Sequence, residues 1–447
     1  SLAQFMLWYE QAGTPEVMCK LTWDKARQTA TLALEQSQAP TPGQTRKRPL
    51  QIPLRIGLIG RDGAEMPLTL ANGATVPDGV VQLTRASQNF RFKNVTEKPT
   101  LSILRGFSAP VKLVRDITER QLAFLMAHDQ DPFARWQASA DYAMRLLLAQ
   151  IPRGDDIEPL SARIADFAAA LEMAITSDDN EPAYCAELLR LPSENDIARE
   201  IGRNVDPTGI HIARKAVATA IAKQLGPTLA DLYATSQISG AYDPGAEQAG
   251  RRALRNACLS LLTLRNRQED RERLSNHYWQ ANNMTDQAHA LTLYAHSTKR
   301  ERQTVLDNFH DRWQDDHLVI DTWFSVQATA PQNAALARAR KLTRHPRYSA
   351  TTPNKIRAVV GAFAMGNPVQ FNRPDGKGYD FAVEQILATD RFNPQVAARL
   401  LGAFRSWRTL ERSRRGLAKS ALMRIAAAPT LSRDVYEIAN RILGIDP

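Results

Sequence analysis

The sequence predicts a multidomain chain of mixed class: a small all-β, Ig-like sandwich, then a large all-α helical-repeat domain of ARM or HEAT type wound as a superhelix. Three observations carry the prediction. Up to about residue 111, apolar and polar residues alternate with period two in short runs. From about Ile117 onward, apolar residues recur at helical spacing to the end. Helix starts built from Asp or Asn before Pro recur at separations of 75, 37 and 150 residues, all near multiples of one helix-hairpin repeat.

The strands come first. Ala30, Leu32 and Leu34 alternate with Thr29, Thr31 and Ala33; Ile52, Leu54, Ile56 and Leu58 alternate with Pro53, Arg55 and Gly57; Phe90 and Phe92 alternate with Arg91 and Lys93. Turn clusters separate them: Ala39–Gly43, Arg61-Asp62-Gly63, Ala71-Asn72-Gly73 and Pro77-Asp78-Gly79. Asn and Gly tolerate positive φ, so such pairs close tight turns cheaply. About seven short strands in such a span fit a sandwich. The helical part opens with Thr118 and Gln121, a capping box for a helix over 119–127. Asp131-Pro132, Asp206-Pro207, Asp243-Pro244 and Asn393-Pro394 start further helices, the acceptor side chain capping free N–H groups and Pro needing none. Ile210, Ala213, Val217 and Ile221 stripe the second of these, and Gly226-Pro227 stops it.

The chain has 447 residues, 43% hydrophobic and 23% charged, with formal net charge +10. That length permits large unstapled cores, and that composition excludes a disordered or fibrous chain. No window approaches a bilayer-spanning apolar run, so no membrane partner is expected. The first ten residues lack the basic and apolar regions of a secretory signal. Instead Leu2, Phe5, Met6 and Tyr9 recur at helical spacing from the first residues, as if a helix had been cut. Three scattered cysteines, Cys19, Cys185 and Cys258, make no disulfide framework, which suits a reducing, cytoplasmic location.

The chemistry is sparse. None of the eight histidines begins His-Glu-x-x-His, and Gly106-Phe107-Ser108-Ala109-Pro110 lacks the second Gly of a nucleophile elbow. Asp375-Gly376-Lys377-Gly378 lacks the spacing and hydroxyl of a phosphate loop and reads as a turn. His310-Asp311 with Asp315-Asp316-His317 is the most metal-like group, set against a solvated acidic helix segment. The basic excess is local: between Arg399 and Arg424 eight Lys or Arg stand against Glu411 alone. It would serve either as a phosphate-binding surface or as a solvated face, and no nucleic-acid motif accompanies it, so nucleic acid is not the expected partner.

Several segments then become specific. Phe5 to Pro15 reads F-M-L-W-Y-E-Q-A-G-T-P, and Leu104 to Val111 reads L-R-G-F-S-A-P-V. His128-Asp129-x-Asp131-Pro132-Phe133-x-Arg135-Trp136, Leu254–Cys258, Asn283–Asp286, Trp323-Phe324, Pro353–Phe363 and Arg391–Leu400 follow. Across nearly the whole chain this series resembles the C-terminal half of the aminopeptidase N family, zinc peptidases of the alanyl-aminopeptidase (gluzincin) type. Thr352 departs from the family pattern, which usually has Asn. The larger departure is that the family's two His and one Glu zinc ligands, general-base Glu, substrate-gripping Gly-x-Met-Glu-Asn strand and oxyanion Tyr have no counterpart here. Gly361-Ala362-Phe363-Ala364-Met365-Gly366-Asn367 only sounds like that strand and lacks the Glu.

The resemblance therefore implies residues 1–14 as the end of a catalytic domain, 15–111 as the sandwich and 112–447 as the α-solenoid. It implies no catalytic residue and no metal ligand in this chain, with zinc held by the full-length parent. Its partners would be the missing catalytic and N-terminal domains and, in the whole enzyme, peptides. Arg357 and Arg399 match family arginines that face the substrate chamber. A guanidinium there can hold a peptide carbonyl or carboxylate, or else close an internal salt bridge. A free-standing helical-repeat scaffold, binding protein or nucleic acid through 399–424, is the competing reading.

Overall fold

The computed structural model describes residues 2–177 and 180–444. Two compact units result, Ser1–Arg145 with Ala165–Asn180, and Leu146–Ile164 with Glu181–Pro447. Ser1, where the expected stub begins, lies outside the described residues.

In the first unit the alternating runs become strands: β1 Glu16–Asp24, β2 Thr29–Ser37, β3 Ile52–Ile59, β4 Glu65–Met66, β5 Val80–Leu83, β6 Ser87–Phe92, β7 Thr100–Ile103 and β8 Lys112–Arg115. One sheet has the order β6-β2-β1-β8, with β8 parallel to β1; the other has the order β4-β3-β5, with β7 also on β3. Period two decides which side chains meet. Ala30, Leu32 and Leu34 of β2 and Ile52, Leu54, Ile56 and Leu58 of β3 are all buried in one cluster with Val17, Leu83 and Phe92. Gly73 closes its turn at φ +88, while Asn72 Oδ1 accepts the Ala74 amide at 3.0 Å. The sheet takes in β8, just past the expected edge at Val111. The helix Leu7–Glu10 is tied to the sandwich by Trp8, whose indole donates to the Gln51 carbonyl at 2.9 Å.

The helical starts mostly fall where the sequence puts them. Thr118 and Gln121 form the capping box of the helix Glu119–His128. Asp131 Oδ1 accepts the Ala134 amide at 2.8 Å, and Asp206 and Asn393 cap the helices Pro207–Gln224 and Pro394–Leu400. Ile210, Ala213, Val217 and Ile221 are buried as a stripe, and the helix stops before Gly226, where the next begins. The start expected at Asp243-Pro244 is corrected. Asp243 spends its carboxylate on the Gly245 amide two residues on, and the helix opens at Ala246 with Gly245 as its N-cap.

Successive repeats of the second unit are joined by side chains that reach the carbonyls at an earlier helix end. Gln332 donates to Ala295 and Ser297, Asn367 to Ala328 and Ala330, and Gln370 to Pro331. An ideal solenoid contacts only its neighbours. This one also closes on itself: the Val205 amide donates to the Thr409 carbonyl at 2.9 Å and the Glu411 amide returns to the Val205 carbonyl at 3.0 Å. Arg414 locks the closure by donating to Asp206 Oδ1 at 2.9 Å, Thr208 Oγ1 at 2.7 Å and the Asn372 carbonyl at 2.6 Å.

Candidate functional site

Pro353 starts the short helix Pro353–Ile356, and residues Arg357–Gly361 continue it as a π-turn. Such turns widen the helix by one residue and are common at functional sites. Ala358, Val359 and Val360 are buried, and the Ala358 carbonyl accepts from Ser325 Oγ at 3.1 Å. Lys355 points inward, its Nζ 2.7 Å from both Asp321 Oδ1 and the His317 carbonyl. Arg357 is left on the exposed side. Its Nε donates to the Pro353 carbonyl at 3.2 Å and its Nη2 to Asn354 Oδ1 at 2.8 Å, so neutral groups of its own turn hold its fork outward. Arg399 is exposed on the helix Pro394–Leu400, whose opposite face buries Val396, Ala397 and Leu400. Among the described residues neither arginine makes an ion pair, and Arg399 makes no hydrogen bond. Both therefore retain donors for a planar acceptor.

Of the other seven basic residues of the stretch, three are committed, while Arg405, Arg412, Arg415 and Lys419 make no side-chain hydrogen bond or ion pair among the described residues. Arg414 closes the unit as above, Arg408 donates to the Leu443 carbonyl at 2.6 Å, and Arg424 pairs with Asp380. The histidine cluster does not converge. His310 stands 3.2 Å from Asp311 and leans on the rings of Trp323 and His345; Asp315 pairs with Arg347; the His317 carbonyl accepts from Lys355. Among the described residues no three His, Cys, Asp or Glu side chains are placed to hold a metal ion, so zinc does not fit the described residues. All three cysteines are buried, and burial pushes the Cys19 thiol up to about 11 and the Cys258 thiol up to about 12, away from reactivity. Gly376 caps the helix Lys377–Asp390 at φ +71, with Asp375 paired to Arg373 and accepting the Lys377 amide.

Two buried polar networks were not legible as sites, though Arg105, Asp129, Arg255, Asn283 and Asp286 among their residues stand in the motif blocks. In the first unit Arg105 is buried between Glu65 at 2.6 Å and Asp129 at 2.9 Å, with Ser102 Oγ at 2.9 Å from its Nε. A Cβ at Gly57 would lie 2.4 Å from its guanidinium carbon, so a side chain at this position of β3 would displace the Arg105 fork. Burial raises the Asp129 carboxyl above its ordinary value, against the hydrogen bonds and charge that favour its ionised form. In the second unit Arg255, Asp286, His277 and Tyr233 are buried together. Arg255 reaches Asp286 at 3.4 Å, Asn283 Nδ2 reaches the same carboxylate at 3.1 Å, and Tyr233 Oη is 2.9 Å from His277 Nδ1. Burial pushes the Asp286 carboxyl upward, but the nearby His277, 3.6 Å away, and the Asn283 hydrogen bond outweigh it and hold the group below its ordinary value.

Comparisons with known proteins fit this arrangement. Residues 13–116 match the family described as a domain of unknown function (DUF3458) with an Ig-like fold, and residues 119–444 match its companion (DUF3458_C) with ARM repeats. Aminopeptidase N of Caulobacter vibrioides is 41% identical over 99% of this chain and 50% of its own length. Aminopeptidase N of Escherichia coli is 34% identical over the same shares. The solved structure of Legionella pneumophila aminopeptidase A in complex with aspartic acid superposes with TM-score 0.84 at 27% identity, covering 99% of this chain and 50% of that one. The chain thus spans about half the length of the relatives it matches, and the free-standing scaffold is not favoured.

Proposed function

Because the chain belongs to the aminopeptidase N family, as its Ig-like and ARM-repeat C-terminal half, we propose that it completes and gates the active-site chamber of a zinc aminopeptidase that removes N-terminal residues from peptides. The observation that carries this reading is the match over 99% of the chain to half of an aminopeptidase N. In this reading zinc and the catalytic groups belong to the half that precedes these residues, and the division at 1–14, 15–111 and 112–447 separates the stub, the sandwich and the gating solenoid. The whole enzyme acts in the cytoplasm. Among the described residues no helix is long and apolar enough to cross a membrane.

Arg357 and Arg399 line the distal part of the chamber. The donors of Arg357 left over from its own turn and the unclaimed fork of Arg399 grip carbonyls or the terminal carboxylate of a bound peptide, a charge-assisted contact that a single-residue substrate never reaches. The test is a substrate series on the whole enzyme. Arg399→Ala and Arg357→Ala raise KM about tenfold for tetrapeptides and leave an alanine anilide unchanged. Equal kinetics on the whole series would overturn the assignment.

A further inference from the structure

A cleft of about 680 Å³ opens in the first unit between Arg55 of β3 and Asp131, which caps the helix Pro132–Gln150. Ile56, Met66, Leu68 and Val76 give it an apolar wall. Its charged groups are Arg55, Glu65, Asp78, Arg105 and Asp131. Glu65 and Arg105 are spent on each other at 2.6 Å, and Asp78 stands exposed on its turn. Arg55 and Asp131 keep atoms to spare. Arg55 Nε donates to the Asp78 carbonyl at 3.1 Å, and its terminal nitrogens donate to nothing among the described residues. Asp131 Oδ1 accepts the Gly106 amide at 3.1 Å and the Ala134 amide at 2.8 Å, while Oδ2 accepts nothing among the described residues.

These two unspent groups face one point. A Cβ at Gly106 would lie 3.9 Å from Arg55 Nη1 and 4.0 Å from Asp131 Oδ2. Opposite charges this near would ordinarily close on each other. Here each is tied back to backbone instead. The turn that holds Arg55 lies directly on β3: a Cβ at Gly79 would come 2.9 Å from the Ile56 carbonyl. Asp78 within that turn is kept at φ +51, in the left-handed region. The two amides on Oδ1 fix Asp131 in the same way. A donor fork and an acceptor oxygen are thus held ready, which lowers the ordering cost for a ligand that bridges them.

We propose that Arg55 and Asp131 form a binding site for a small zwitterion, a free α-amino acid with an apolar side chain. The Arg55 fork takes the ligand carboxylate, and Asp131 Oδ2 accepts from its ammonium. The ligand side chain lies on the apolar wall of the cleft. A plain anion leaves Asp131 unmatched and a plain amine leaves Arg55 unmatched, so both charges of the ligand are read. This site is independent of the aminopeptidase reading and uses neither Arg357 nor Arg399.

The test is equilibrium dialysis of the chain against L-leucine, isocaproate and isoamylamine, the last two being leucine without its amine and without its carboxylate. L-Leucine binds saturably with Kd on the order of 0.1 mM, and each analogue binds at least about tenfold more weakly. Arg55→Gln and Asp131→Asn each weaken L-leucine about tenfold. Asn still caps the helix and Arg55 is exposed, so both variants keep the circular dichroism of the parent. No saturable binding of L-leucine up to about 10 mM would overturn the proposal. Unchanged affinity in either variant, or an analogue that binds as well as L-leucine, would overturn it too.

Discussion

Arg105 in the sandwich unit and Arg399 in the helical unit carry the same group in opposite circumstances. Arg105 is enclosed, with Glu65 and Asp129 on its two terminal nitrogens and Ser102 on the third. Arg399 faces solvent, with its donors unclaimed among the described residues. Arg414 belongs with the first kind although it lies in the helical unit, and Arg357, which spends only its Nε and one terminal nitrogen on its own turn, is nearer the second. A guanidinium whose donors are all spent on its own chain holds structure. One whose donors are left over is available to a ligand, at little benefit to stability.

The sharpest way to break this contrast is Arg105→Ala. It leaves Asp129 buried without its counter-charge, and urea unfolding should show a loss of about 4 kcal/mol. A loss below about 1 kcal/mol would mean that the buried carboxylate is satisfied some other way. Arg414→Ala comes next. It frees the closure between residues 205–208 and 409–414, and about 2–3 kcal/mol should be lost by the same measurement, with faster amide exchange at Val205 and Glu411.

Buried imidazoles extend the contrast to pH. Burial first, then nearby positive charge, holds His289 and His296 at about 4, below the ordinary value of 6.5. Between those values the unfolded chain binds more protons than the folded one, so stability is full above pH 6.5 and falls as pH drops toward 4. Each group contributes about 3 kcal/mol. His296→Gln should flatten part of that slope, and an unfolding midpoint constant from pH 7 to 5 would contradict the assignment. The smallest effect belongs to the free forks: Arg357→Ala and Arg399→Ala should change stability by less than about 0.5 kcal/mol.

Much of the fold was legible because it rests on local periodicity. The strand runs at Ala30–Leu34 and Ile52–Leu58 and the caps at Thr118, Asp131, Asp206 and Asn393 depend on residues a few positions apart. Asp243-Pro244 misled because one carboxylate can serve either a helix or a tight turn, and the Gly245 amide won. What sequence reasoning could not see is distant pairing. The partners of Arg105 lie 40 and 24 residues away, and Asp206 lies 208 residues from Arg414. Of eight basic residues in 399–424, Arg414 and Arg424 turned out to be ion-paired, while Arg399, like Arg405, Arg412, Arg415 and Lys419, makes no side-chain bond among the described residues, a distinction that charge counting cannot make. The motif blocks did contain Arg105, Asp129, Arg255 and Asp286, but as a family likeness rather than as chemistry.

The central claim is that this chain completes an aminopeptidase without supplying its chemistry. It is tested most directly by assaying alanine anilide hydrolysis with the chain alone and with the chain joined behind the N-terminal half of the Caulobacter vibrioides relative. The account predicts no hydrolysis by the chain alone and chelator-sensitive hydrolysis by the joined protein. Chelator-sensitive hydrolysis by the chain alone, or a folded, zinc-loaded joined protein without activity, would contradict it.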